Sequence, residues 1–283
     1  MKSKSFYASI ILVSIAIIWG AGYSTQAIAA QNLQSITIIF TKYIGFICLL
    51  PIVIADKCKF TLRSFLYGFI VAITGAFGCL LQQEGIKYST AAKTSFITAL
   101  YIIFVAIFGF LFKKKPEKKI WIAIPIAIVG MYFLCANGES LAVSAGDLYP
   151  LGGSMLLALQ ILFIDKGVEK DDPLTISFIS QGLSALIFGV LMLIVDKPTI
   201  MDFKNALWPV LYSILISGVL AQTLQIIYQK DVEPSLASLL LSLESVFGAL
   251  GGWLILGQSL SIREIAGCVI IFIAILIANK KSE

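Results

Sequence analysis

Apolar residues run along this chain in long blocks, and polar residues collect between them. Ten blocks can be drawn, at about 6–28, 35–55, 63–83, 93–112, 119–136, 146–164, 174–195, 206–228, 236–256 and 262–279. Each is close to the ~20 residues a helix needs to cross a bilayer's hydrocarbon core. Hydrophobicity within a block is continuous and not alternating, which predicts helices and not the strands of a barrel. The longest connections, near Lys57–Leu62, Asn137–Ala145, Asp165–Pro173 and Asp196–Asn205, are too short for a soluble or nucleotide-binding domain. Pro116, Pro173, Pro198 and Pro234 fall in or beside connections, where a missing N–H costs nothing. The pattern predicts an all-α polytopic membrane protein with ten transmembrane helices.

The ninth block interrupts its own pattern. Between Ser235 and Gly257 it carries one ionisable residue, Glu244, with Gly248, Gly251 and Gly252 on or beside the same helical face. A carboxylate at that depth is costly unless it faces a bundle interior or a water-filled path. Glycines at that spacing let another helix approach closely. The segment therefore reads as an inner helix with its carboxylate turned inward.

Composition sharpens this picture. Hydrophobic residues make up 59% and charged residues 13% of the 283 positions, far from the roughly 25% charged residues of a soluble domain. Histidine is absent, which removes the commonest general base and metal ligand. The five cysteines, Cys48, Cys58, Cys79, Cys135 and Cys268, show no metal-binding spacing and read as small buried residues. The net charge of +5 sits in short loops and is no nucleic-acid footprint. Lys2, Lys4 and Ala27-Ile28-Ala29 imitate a signal peptide, but the apolar run is too long for one, so a retained first helix is expected.

The distribution of lysine and arginine sets the orientation. With the N-terminus inside, 15 basic residues lie on the inner side: Lys2, Lys4, Lys57, Lys59, Arg63, Lys113, Lys114, Lys115, Lys118, Lys119, Lys166, Lys170, Lys230, Lys280 and Lys281. Only 5 lie outside: Lys87, Lys93, Lys197, Lys204 and Arg263. Both termini are therefore expected in the cytoplasm, in a multi-pass protein of the plasma (inner) membrane. The run from Lys113 to Lys119 is expected to meet anionic lipid headgroups. Glu84, Lys87 and Lys93 at the outer end read as solvated loop charges.

A weak internal repeat is visible. A shift of 143 lays residues 99–104 over 242–247, Ser95 over Ser238 and Gly109 over Gly252; shifts of 145 and 138 lay Leu66-Tyr67 over Leu211-Tyr212 and Thr37 and Phe40 over Thr175 and Phe178. Ten helices then divide into two five-helix repeats, residues 1–140 and 141–283. Five is odd, so the halves would insert with opposite orientation, an arrangement typical of secondary transporters with a site at the repeat interface.

These residues resemble a known family. Trp19-Gly20, the stretch from Gly85 to Lys93 and above all Ser242-Leu243-Glu244-Ser245-Val246-Phe247 are similar to motifs of the drug/metabolite transporter superfamily, in its EamA-like ten-helix branch. The family's Ser-Leu-Glu-Pro-Val-Phe has proline where this chain has Ser245, so a straighter ninth helix is expected. Gln258 stands where an acidic residue is common, and Lys42 where an arginine is common. The resemblance implies a transporter of small organic molecules, often an exporter, built as two EamA repeats.

Four polar stripes fall at helical spacing: Trp19, Tyr23 and Gln26; Thr94, Thr98 and Tyr101; Ser177, Ser180, Gln181 and Ser184; and Gly218, Gln222, Gln225 and Gln229. In lipid such faces must turn inward. The serines and threonines are expected to serve helix–helix hydrogen bonding, and the glutamines to line a path. Lys42 and Glu244 each lie about 12 Å into their spans from opposite sides, and so within roughly 6 Å in depth. They read as a pair flanking a zwitterionic substrate, as a structural ion pair, or, for Lys42, as a side chain snorkelling to the surface. A carboxyl group in a dry cavity favours its neutral form and can exchange a proton with the path.

The expected function is a secondary transporter of small organic solutes or metabolites, amino acids or related compounds first among them, exporting by alternating access with proton coupling. Its substrate-binding residues are Trp19, Tyr23, Lys42, Thr94, Thr98, Tyr101, Gln222, Gln225 and Glu244, with the site lined by the first, fourth, eighth and ninth spans. Trp253 is a further aromatic for stacking. A lipid or lipid-precursor flippase of the same fold is the alternative, marked by a lateral groove. An intramembrane enzyme is disfavoured, because no histidine, P-loop or intramembrane acidic pair supplies its chemistry. Expected partners are a small-molecule substrate and the bilayer; no cofactor, metal or nucleic acid is expected. The sequence does not choose between monomer and homodimer.

Overall fold

The computed structural model describes residues 2–88, 91–135, 145–257 and 259–279. The connection from 136 to 144, Ser89, Thr90, Gln258, Lys280 and Lys281, and the side chains of Lys2, Lys87, Lys93 and Cys135, lie outside the described residues. Among the described residues every regular element is helical. Eight helices are long and apolar enough to cross a membrane: Lys4–Ala29, Ser35–Ala55, Leu62–Gly85, Ala145–Val168, Pro173–Asp196, Leu207–Gln229, Pro234–Ile255 and Ile262–Asn279. The fourth expected block is represented by the shorter apolar stretch Thr94–Gly109, and the fifth by the helix Lys118–Cys135. The segments are numbered first to tenth in chain order below.

Local chemistry sets where several helices begin. Pro173 and Pro234 each occupy a first-turn position, where the absent N–H would be unbonded anyway. Asp172 accepts from the Thr175 backbone N–H at 2.7 Å, and Glu233 from that of Leu236 at 3.0 Å. These caps satisfy N–H groups that have no partner within the helix. At the opposite end of the bundle Asp196, closing the seventh segment, accepts from the backbone N–H and hydroxyl of Thr37, both at 2.8 Å. That carboxylate caps the second segment from the other half of the chain.

Arg263, at the start of the tenth segment, lies over the rings of Tyr132 and Phe133 near the end of the fifth. The two helices therefore run antiparallel, and Asn279 lies toward Lys118. Lys4 and Lys114 line one cavity at that same end. Both ends of the described chain thus share one side of the bundle. Large apolar side chains such as Leu111, Leu186, Leu254 and Leu276 are exposed on the perimeter, while Gln181, Gln225 and Gln229 are buried. This polarity is inverted relative to a water-soluble protein and suits a hydrocarbon surround.

The fourth and ninth segments are not continuous α-helices. One breaks between Ala99 and Tyr101, the other between Leu241 and Glu244. At both breaks the backbone tightens to three-residue hydrogen bonds: Leu100 N–H to Ile97 O at 3.1 Å, and Leu243 N–H to Leu240 O at 3.3 Å. Leu100 and Leu243 are the residues superposed by the shift of 143. The straighter ninth helix expected from Ser245 does not form, because the tight turn at Ser242 and Leu243 precedes it. Prolines are thus not needed for the break. Tyr101 and Glu244 head the helical pieces that follow.

Candidate functional site

The two breaks aim Tyr101 and Glu244 into one cavity of about 60 Å³, room for a few water molecules. Trp19, Tyr23 and Gln26 of the first segment line it, with Lys42 of the second and Cys79 and Gln82 of the third. Leu157, Gln160 and Ile161 of the sixth, Ser217, Gln222 and Gln225 of the eighth and Leu241 of the ninth complete it. Of the nine residues expected from the sequence, seven line this cavity. Thr94 and Thr98 do not; they are buried in the fourth segment, and their hydroxyls find no hydrogen-bond partner among the described residues. Trp253 is half exposed on the perimeter.

Lys42 is only 9% exposed, and its ammonium points into the cavity and not out to a bilayer surface. Its Nζ stands 3.5 Å from Cys79 Sγ, 5.1 Å from the Trp19 ring centroid and 5.9 Å from that of Tyr43. Ring faces carry negative electrostatic potential and stabilise a desolvated cation. Glu244 keeps part of its surface accessible and lines the same cavity. It feels the Lys42 charge and accepts a hydrogen bond from Tyr23. Gln82 Nε2 in turn donates to Tyr23 Oη at 2.6 Å. Tyr101 is buried with its hydroxyl beside Glu244, though no complete hydrogen bond is formed there. Among the described residues no direct ion pair joins Lys42 to Glu244. The cavity therefore holds a cation and a carboxylate separated by polar space.

The eighth segment explains how Trp19 is held. Ser213–Leu220 is π-helical, and a wider turn releases carbonyls from the regular ladder. Trp19 Nε1 donates to the Ser217 carbonyl at 3.1 Å. Gly218 lies against the second segment at the same level, and a Cβ there would collide with the Lys42 carbonyl oxygen. Absence of that side chain is what brings Lys42 so close to the eighth segment. Where the ninth segment packs on the first, Gly20 does the same, since a Cβ there would collide with Phe247, while Gly248 and Gly251 face Tyr23, Ser24 and Gly20 at 3.3 Å or more. The close helical neighbour expected from their spacing is the first segment.

The polar stripes separate into two kinds. Ser177 Oγ donates to Thr223 Oγ1 at 3.0 Å, and Gln181 Nε2 donates to both, at 2.9 and 3.0 Å. That stripe ties the seventh segment to the eighth and leaves the cavity alone. The glutamines of the eighth form a ladder: Gln222 donates to Gln225 at 3.3 Å, Gln225 to Gln229 at 3.2 Å, and Gln229 to the Ile161 carbonyl at 2.6 Å. Its upper members line the cavity. Cys79, Gln82, Gln160 and Ser217 were not expected there. Gln160 is a lone amide in an apolar block, which was the available signal, whereas Gln82 sits in the polar run Gln82-Gln83-Glu84 at the end of its block; Ser217 offers a backbone carbonyl to Trp19, for which no signal exists.

A second cavity, of about 540 Å³, opens at the end that holds both chain ends. Lys114 bridges Asp165 at 2.9 Å and Glu169 at 2.6 Å there. Partial burial works against the Lys114 charge, but the two carboxylates outweigh it and hold the ammonium above the ordinary lysine range. No group of three or more His, Cys, Asp or Glu able to hold a metal ion occurs among the described residues.

Known proteins share this architecture. A transporter from Archaeoglobus fulgidus, named only as uncharacterized, is 24% identical over 278 residues, covering 98% of this chain and 87% of that one. The uncharacterized transporter YyaM of Bacillus subtilis is 23% identical over 231 residues, covering 78% and 75%. A solved crystal structure superposes with a TM-score of 0.80 over 96% of each chain at 13% identity, which shows the same fold. The pattern of the EamA-like transporter family matches twice, over residues 6–136 and 144–280. Matched along nearly its whole length, the chain belongs to the EamA-like transporter family, a branch of the drug/metabolite transporter superfamily.

Proposed function

We propose that this transporter moves small zwitterionic metabolites, amino acids or close relatives, through the central cavity. The observation that carries the reading is the placement of Lys42 and Glu244 on one cavity without a direct ion pair between them. A substrate carboxylate fits beside the Lys42 ammonium, and a substrate ammonium beside Glu244 and the tyrosine hydroxyls. Each substrate charge then replaces lost hydration with a fixed counter-charge, so neither is stranded in a low-dielectric interior. Trp19, Tyr23 and Tyr101 supply apolar faces, and Gln222 and Gln225 supply amides, the usual lining of a small-molecule site.

Two inverted five-helix repeats, residues 1–140 and 141–283, alternate access to this cavity. Their corresponding helix breaks at Leu100 and Leu243 support that division. The excess of lysine and arginine on the side holding both chain ends supports a cytoplasmic location for that side, in the plasma membrane. The direction is export, driven by protons that exchange at Glu244. The groups facing Glu244 are Lys42 from the second segment, Tyr23 from the first and Tyr101 from the fourth. Its protonation would discharge the site's anion and release a substrate ammonium. A flippase would need a groove open to lipid; a cavity ringed by the first, second, third, fourth, sixth, eighth and ninth segments supports the solute reading.

The test is flux in liposomes holding the purified protein, with a panel of zwitterionic, cationic and anionic amino-acid derivatives and an imposed pH gradient. Zwitterions should move, faster with a gradient, and Glu244→Gln should abolish the gradient's effect. Unchanged coupling in Glu244→Gln removes that carboxylate from the mechanism, and movement of cations or anions in place of zwitterions removes the paired-charge site.

A further inference from the structure

Four segments line both the central cavity and the larger cavity at the end holding both chain ends, at different heights; the first gives Trp19 to one and Lys4 to the other. The sixth gives Ile161 to the first cavity and Asp165 to the second, and the eighth gives Gln225 and then Lys230. The ninth gives Leu241 and then Glu233. Between the two heights lies Gln229, 0% exposed, whose side-chain amide donates across to the Ile161 carbonyl at 2.6 Å. One helical turn beyond Ile161 on the same segment, Asp165 is held by Lys114 at 2.9 Å.

Resting on the transport reading above, we propose that the route from the central cavity to this end runs between the first, sixth, eighth and ninth segments. Two bonds close it: Gln229 to the Ile161 carbonyl, and Lys114 to Asp165. The first joins the eighth segment to the sixth and must break when those two part; the second ties the sixth segment to the connection after the fourth, across the mouth of the larger cavity, and must break when the sixth swings away from that connection. Neither is strong. An amide hydrogen bond between membrane helices and a partly solvated ion pair each contribute little net free energy, which suits a closure that must reopen every cycle. The glutamine ladder links this closure to the site. Gln225 lines the cavity and donates to Gln229, which donates to Ile161. A ligand that accepts from the Gln225 amide withdraws the donor that orients Gln229 and so loosens its hold on Ile161. Occupancy of the cavity is thereby signalled along one helix face to the closure.

Cys79 is a native reporter, because its thiol lines the central cavity. In protein whose other cysteines, Cys48, Cys58, Cys135 and Cys268, are serine, the rate of Cys79 modification by a membrane-impermeant methanethiosulfonate is measured. Right-side-out and inverted vesicles are compared, with a terminal epitope tag identifying the face that holds the chain ends. Gln229→Ala and Asp165→Asn should each speed labelling from the tagged face by up to about five-fold, the factor expected for loss of one such bond. The rate from the opposite face should not change. Lys114→Met removes the same ion pair from its more exposed partner and should give the same one-sided increase even if Asp165→Asn does not fold. Unaltered labelling from the tagged face, or an equal rise from both faces, would overturn the assignment. Labelling requires no transported substrate, so it reports on the closure even if no zwitterion proves to be carried.

Discussion

Lys42 and Glu244 should prove energetically coupled although they do not touch, and a double-mutant cycle measures this. Breaking a direct buried ion pair by removing one partner costs about 3–5 kcal/mol. Here each group keeps other support. Lys42 retains the Trp19 and Tyr43 rings at 5.1 and 5.9 Å, worth about 0.5–2 kcal/mol together with any remaining polar contact. Glu244 retains the Tyr23 hydrogen bond, worth about 1.5–3 kcal/mol for a bond to a charged group. The remaining cost of each single change is therefore about 1–3 kcal/mol. The two costs are unequal. In Lys42→Met the stranded carboxyl can take up a proton and become neutral, whereas in Glu244→Gln the ammonium is left without its counter-charge. Glu244→Gln should be the more damaging. The double variant Lys42→Met/Glu244→Gln leaves no stranded charge and should fall short of the summed losses by at least about 1 kcal/mol. Thermal midpoints in detergent, read by size-exclusion chromatography after heating, give the four corners, at roughly 2–4 °C per kcal/mol. Additivity within about 0.5 kcal/mol, or Lys42→Met the costlier change, refutes the electrostatic account. Flux should be lost in the double variant even where its stability recovers.

Two further outcomes test the packing and the ends of the helices. Gly218→Ala forces a Cβ against the Lys42 carbonyl and should cost about 1–3 kcal/mol of stability. Gly22→Ala meets only ordinary contacts at 3.8 Å or beyond and should be neutral in the same melt; equal effects would show that the second and eighth segments do not approach as described. In the connection after the seventh segment, hydrogen bonds from the Thr199 backbone N–H and hydroxyl hold Asp202 below the ordinary carboxylate range. A depressed carboxyl stabilises the fold at pH above its unfolded-state value and loses that contribution as pH falls through the lower folded-state value. Asp202→Asn removes the titrating group and should flatten that acid limb of the thermal midpoint, and an unchanged limb would remove the cap from the pH response.

Block lengths and unbroken hydrophobicity sufficed to predict membrane-crossing helices, because hydrocarbon leaves a backbone no hydrogen-bond partner but its own. The same constraint made Glu244, Lys42 and the eighth segment's glutamines stand out, since each is too costly to face lipid. Seven of the nine residues singled out as rare charges, aromatics and polar groups on inward faces do line one cavity. Other features waited on the tertiary structure. Periodicity reports which faces turn inward but not what they meet there. So Thr94 and Thr98 read the same as Tyr101, though only Tyr101 reaches the cavity. The serine stripe of the seventh segment and the glutamine stripe of the eighth differ in role only through their neighbours. The contribution of Ser217 is a carbonyl released by a π-helical turn, and backbone groups carry no sequence signature. The breaks at Leu100 and Leu243 contain neither glycine nor proline at the turn itself. No local sequence signal marks the tightening there, and that turn is what points Tyr101 and Glu244 at the same space.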